Sequence, residues 1–96
     1  MGVVVNHRRL PRRVHLGLGY VVEVVFASQA TIRDVCDADD NEKLDGCWDN
    51  HLGDEGAKSA GIIYIDRSLP RQQKFVTYWH EIGHALLDIR DWALEH

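Results

Sequence analysis

Residues 61 to 87 read GIIYIDRSLPRQQKFVTYWHEIGHALL, a short β-branched run followed by a polar segment and a long helical pattern. The isoleucine-rich run from Gly61 to Asp66 is typical of a buried strand. Ser68 is a candidate N-cap and Pro70 suits a first helical turn, so we expect a helix from about residue 69. No glycine stop follows, and the pattern predicts that this helix continues to Trp92.

The predicted helix contains an H-E-x-x-H motif, with His80 and His84 flanking Glu81. Residues four apart lie one turn apart on the same side of a helix, so the two imidazoles can bind one metal ion. Zinc accepts such ligands and lowers the pKa of a water that it binds, and a neighbouring carboxylate can take the proton. The motif therefore predicts a zinc-dependent hydrolase with Glu81 as the general base.

The residues around the motif favour a metal site over a chance occurrence of the five letters in a surface helix. Apolar residues at helical spacing predict a core stripe that leaves the histidines on a separate one. These residues are Phe75, Trp79, Ile82 and Leu86. Gly83 costs about 1 kcal/mol relative to alanine in mid-helix, which suggests close approach by another segment.

The composition predicts one small globular domain, spanning residues 1 to 93 of the 96. At 45% hydrophobic and 27% charged, the chain lies outside the disordered class, and its net charge of -4 argues against general nucleic-acid binding. The arginines near the start and nine carboxylates within residues 34 to 55 are interpreted as solvated surface. Residues 94 to 96 resemble the start of a vector-derived Leu-Glu-polyhistidine tail.

Neither a membrane-spanning segment nor a secretory signal is expected, because the apolar runs are short or interrupted by charge. We therefore expect a cytoplasmic protein with no membrane partner. Cys36 and Cys47 have ten residues between them, which fits no common zinc spacing. Both are predicted to be free thiols, with a disulfide as the alternative.

Two further strands are predicted before residue 61, at Tyr20 to Ala27 and at Leu44 to Asp49, and Val3 to Val5 could form a short one. The expected fold is an α+β, zincin-like domain: a short twisted sheet of about three strands with the H-E-x-x-H helix on one face. If the 61–66 strand lies at the sheet edge, an extended peptide can pair with it. Ile63 and Tyr64 would then contact the substrate, with Tyr64 as a hydrogen-bond donor to the oxyanion.

Residues 61 to 87 resemble the ImmA/IrrE-type metallopeptidases of bacteria and phages. That family joins a strand ending in a polar residue, a basic linker and a helix of the form Phe-Thr-x-x-His-Glu-x-Gly-His-x-Leu-Leu. The same region is similar to minimal gluzincin-like peptidases. The resemblance implies a zincin core, His80 and His84 as ligands of Zn²⁺, and Glu81 as base. It also implies a protein or peptide substrate, with a transcriptional regulator as one candidate.

The third zinc ligand departs from the family pattern, which usually takes it from a carboxylate on a later helix. On a continuous helix Asp88 would lie about 9 Å along the axis from the midpoint of the histidines, too far for its side chain. Asp91 is predicted instead, on condition that the helix breaks after about Leu87 and the chain turns back. Glu95 and His51 are the other candidates.

Three hypotheses follow from this ligand set. The first is a minimal zinc metallopeptidase, which the presence of Glu81 favours. The second is a non-catalytic regulatory or binding module that retains a zincin scaffold, which the incomplete ligand set favours. The third is that the chain is a fragment of a longer metallopeptidase.

Overall fold

The computed structural model describes residues 10–39 and 41–96. This part of the chain contains four strands and two helices, with one helix after each pair of strands. They are β1 (Arg13–His15), β2 (Val21–Ala27), α1 (Gln29–Val35), β3 (Gly46–Asn50), β4 (Gly61–Asp66) and α2 (Arg71–Glu95). The predicted strand at Val3 to Val5 lies outside the described residues, as do Arg8 and Arg9.

The four strands form one mixed sheet in the order β1-β2-β4-β3. β2 and β4 run parallel, with Val24 opposite Ile63, while β1 and β3 pair antiparallel to their neighbours. A parallel pair needs a crossover connection, and the chain between β2 and β4 supplies it through α1 and β3. β3 therefore lies at one edge of the described sheet and β4 in its interior.

The two faces of the sheet are covered differently. Because strand side chains alternate, Ile63 and Ile65 point to the face against which α2 packs, where they join Tyr78 and Ile82 in one buried cluster. α1 contacts β3 and β4, and the fully buried Ile32 lies outside that cluster. The molecule is thus a small α+β domain with the long helix on one face and the short helix on the other.

The α+β class and the 61–66 strand are confirmed, whereas the strand count and the helix start are corrected. The described sheet has four strands because β1, too short to show a pattern in the sequence, pairs with β2. The helix begins at Arg71, and its N-cap is Pro70 instead of Ser68. Ser68 uses its backbone N–H and its hydroxyl to donate hydrogen bonds to Asp66, both at 2.8 Å.

The prediction of free thiols is wrong for this structure, since Cys36 and Cys47 form a disulfide with their Cα atoms 6.5 Å apart. Cys36 is the C-cap of α1 and Cys47 lies on β3 opposite Tyr64. The bond therefore joins the short helix to the edge strand. Structural disulfides are rare in the cytosol, so the cysteines no longer support a cytoplasmic location. Across the described ranges, no helix has the length and apolar character needed to cross a bilayer.

Candidate metal centre

The two histidines of the motif lie on the exposed side of α2 with their rings directed at each other. Their Nε2 atoms are 3.1 Å apart and their ring centroids 4.7 Å apart. Two nitrogens held at zinc–nitrogen distance on a tetrahedral ion are about 3.3 to 3.4 Å apart, so the pair fits zinc with a shift of a few tenths of an ångström. Without a metal the same contact is a hydrogen bond between one imidazole N–H and the other ring.

Glu81 differs from the histidines in being buried, with 7% of its surface exposed. Burial raises the pKa of its carboxyl, and the nearby His84 and His80 act in the opposite direction. A carboxylate whose pKa is raised is better suited to accept and release a proton at neutral pH than one in water. The helix thus places a proton acceptor beside the two imidazoles.

The structure does not bring the predicted third ligand, Asp91, to the histidines. α2 is unbroken to Glu95, so the turn after Leu87 that Asp91 would need is absent. Asp91 accepts hydrogen bonds from the guanidinium of Arg90 at 3.0 and 3.1 Å on the exposed surface. Among residues 10–39 and 41–96, no group of three or more metal-binding side chains exists.

The other candidate ligands are also engaged or distant. His51, which directly follows β3, pairs with Asp49 of that strand, at 2.9 Å between Nε2 and Oδ2. Asp88 accepts hydrogen bonds from the indole Nε1 of Trp48 at 2.7 Å and from the Asn50 amide at 2.9 Å. Its carboxylate therefore joins α2 to the edge strand instead of facing the histidines.

The sequence analysis does not predict this contact between α2 and β3, although one feature of the sequence is consistent with it. Trp48 and Asn50 are two apart on a strand and so share one face, which here is the face of α2. A Cβ on Gly61 would lie 2.5 Å from the Trp48 ring, so only glycine leaves room for the indole across the strand pair. That Trp48 and Gly61 are neighbours depends on strand order, which the local sequence does not encode.

The condition that β4 lies at the sheet edge is not met, because β4 is paired on both sides. Ile63 is 0% exposed within the core and cannot contact a substrate. Tyr64 lies on the sheet face opposite α2, where burial and the charges of Asp49 and Glu23 raise the pKa of its phenol. A hydroxyl on that face does not point at the histidines.

Comparisons with protein-family models, curated proteins and solved structures found no match for this chain. The function of the site is therefore inferred from its own geometry and chemistry.

Proposed function

We propose that the chain binds a zinc ion through His80 and His84 and hydrolyses peptide bonds with Glu81 as the general base. The observation that supports this most is the Nε2 separation of 3.1 Å next to a buried carboxylate on the same helical turn. Neutral imidazoles at this spacing are suitable zinc ligands, and the carboxylate is adjacent to the pair without belonging to it. The ImmA/IrrE-type and gluzincin-like peptidases remain the families that the motif resembles.

Each residue of the motif has a separate task in this proposal. His80 and His84 hold the ion, and α2 fixes their relative position through its backbone. A bound zinc ion would supply Lewis acidity, lowering the pKa of water and polarising the scissile carbonyl. Glu81 accepts the proton from the attacking water and then donates it to the leaving amine. Its burial suits both steps, because it raises the pKa of the carboxyl.

For the substrate, we propose an extended protein segment that pairs with β3. This strand is the edge of the described sheet that contacts α2, and the Trp48 and Asn50 contacts to Asp88 attach it to the catalytic helix. The unpaired backbone groups of an edge strand can bind a peptide by strand addition. Such binding depends mainly on backbone hydrogen bonds, so unfolded protein segments are the expected substrate class.

The test of this function is the variant Glu81→Gln. A carboxamide has nearly the shape of the carboxylate but cannot accept the proton, so we expect the variant to keep zinc and lose at least 100-fold in hydrolysis rate. The assay uses zinc-loaded protein and a fluorogenic unfolded casein. A matched control is Glu42→Gln, since Glu42 lies on an exposed segment far from α2 in the chain. Hydrolysis by Glu81→Gln at the wild-type rate would exclude Glu81 as the base.

The second candidate function is a zinc-dependent binding module without turnover. It is favoured by the absence of a third ligand among the residues that the structure describes. Two histidines alone hold zinc more weakly than three ligands do. If wild-type protein binds zinc but shows no hydrolysis that Glu81→Gln removes, this candidate replaces the first.

A further inference from the structure

The face of α2 next to the histidines is apolar and uncovered in the described structure. Val76, Trp79, Leu86 and Leu87 are 55%, 56%, 44% and 51% exposed, and we call them the outer stripe. Gly83 lies in the middle of this stripe. Apart from its chain neighbours and the helix backbone, no described atom lies within 4 Å of the position that its Cβ would take. The presence of Gly83 in mid-helix suggests that another segment approaches α2 closely there. No described segment of the chain does so.

The outer stripe is nearly symmetric about the midpoint of the two histidines. His80 and His84 are centred at the level of residue 82. Val76 and Leu87 lie six and five residues on either side of that level, and Trp79 and Leu86 lie three and four residues on either side. In an antiparallel helix pair with a two-fold axis at this level, each apolar stripe meets its own copy, and the two histidine pairs lie at the same level on the same side of the contact.

The histidine pair leaves two positions of a tetrahedral zinc without a protein ligand. No side chain among the described residues can fill them together with the pair. A second copy can, because the same pair from the opposite helix adds two imidazoles. Gly83 lacks the side chain that would hold the helices apart, so the backbones can approach closely at the required level.

We propose that two copies of this chain pair antiparallel along α2 and share one zinc ion held by His80 and His84 of each copy. This rests on the proposed zinc binding by the histidine pair. Four protein ligands make a closed site of the structural kind, with no position for water, so the shared-zinc dimer is a resting form without hydrolytic activity. Excess zinc separates it into two chains with one ion each, because each pair then has its own metal.

The test is a zinc titration of the 96-residue protein without an added polyhistidine tag. Sedimentation velocity and native mass spectrometry measure the oligomeric state at each zinc ratio. The dimer, with twice the 11.0 kDa of the chain, should reach its maximum at half a zinc per chain. It should fall again as zinc exceeds one per chain. Leu87→Glu places one carboxylate from each copy in the apolar contact. In the same titration this variant should form the dimer at least tenfold more weakly, while its zinc binding in excess metal is unchanged.

Gly83→Leu gives an independent variant, because its side chain has open space in the single chain and leucine favours a helix. It should fold, bind zinc and remain monomeric. The control Leu18→Glu exchanges a 90%-exposed leucine on the turn between β1 and β2 and should dimerise as the wild type does.

The outcomes separate this proposal from the proposed function. A protein that stays monomeric at every zinc ratio and binds up to one zinc per chain overturns the dimer but leaves the zinc site standing. A dimer that persists in His80→Ala with His84→Ala also overturns it. Loss of all zinc binding by wild-type protein removes both proposals.

Discussion

Asp66 is a buried carboxylate that joins three segments of the chain at the end of β4. It is 1% exposed and accepts hydrogen bonds from Ser68 and, at 2.6 Å, from the side-chain amide of Gln29. Gln29 also bonds the backbone of Leu44, ahead of β3. Burial acts to raise the pKa of Asp66, but the hydrogen bonds outweigh it and hold that pKa below its usual range.

This network predicts a pH-dependent stability. A carboxyl whose folded-state pKa is lowered stabilises the protein above its unfolded pKa of about 3.9, and this stabilisation is lost as pH falls through the folded pKa. Asp66→Asn places an amide donor against Gln29 and should cost about 2 kcal/mol at pH 7. Urea unfolding should show wild type and variant converging below about pH 4. Equal stability at pH 7 would contradict the role of Asp66.

At the scale of elements, the contact between Asp88 on α2 and Trp48 and Asn50 on β3 fixes the edge strand against the helix. Trp48→Phe keeps the aromatic ring but removes the Nε1 donor. A hydrogen bond to a partly exposed carboxylate contributes about 1 kcal/mol, so we expect that loss in urea unfolding and faster amide exchange in β3. The zinc affinity of Trp48→Phe should stay within about threefold of the wild-type value, because neither Trp48 nor Asp88 forms a hydrogen bond with the histidines.

The matched control for that variant is Trp79→Phe. Trp79 is 56% exposed on the outer stripe, and its exchange for phenylalanine should change stability by less than about 0.5 kcal/mol. If both variants lose the same stability, the indole–carboxylate hydrogen bond is not what secures the strand.

The elements differ in how much of them could be predicted from sequence. β4 was predicted to the residue because an isoleucine run bounded by glycine and a polar segment has few alternatives. The sequence also predicts the helical period of α2, but it does not predict which apolar stripe faces inward. The pattern places Trp79 and Leu86 in the core, whereas the structure buries Tyr78 and Ala85 and leaves Trp79 and Leu86 exposed. Two apolar stripes of α2 have the same helical period, and only packing against the sheet determines which of them is buried.

The position of β4 inside the sheet could not be predicted for a related reason. Strand order depends on crossover connections between distant segments, and no local pattern encodes it. Asp91 failed as a predicted ligand because nothing in the sequence stops the helix at Leu87, and the structure continues it to Glu95. The motif itself was recognisable, since its spacing on one helix fixes the His80–His84 contact without reference to the rest of the fold.

For the whole molecule, the Cys36–Cys47 disulfide connects α1 to the edge of the sheet. Closing a loop of this length stabilises a fold by about 2 to 3 kcal/mol in the chain-entropy account. Reduced wild type and the double variant Cys36→Ser with Cys47→Ser should therefore unfold at the same, lower urea concentration than the oxidised protein. A midpoint unaffected by reduction would show that the bond does not stabilise the fold.

The central claim is that His80 and His84 hold a metal ion, and zinc content measures it most directly. Each protein is equilibrated with excess zinc, passed through a desalting column and analysed by elemental mass spectrometry. Wild type and Asp91→Ala should retain the same amount, between half a zinc and one zinc per chain, because Asp91 pairs with Arg90 and not with the histidines. His80→Ala combined with His84→Ala should retain less than about a tenth of that. Stoichiometric zinc in the double variant would contradict the account.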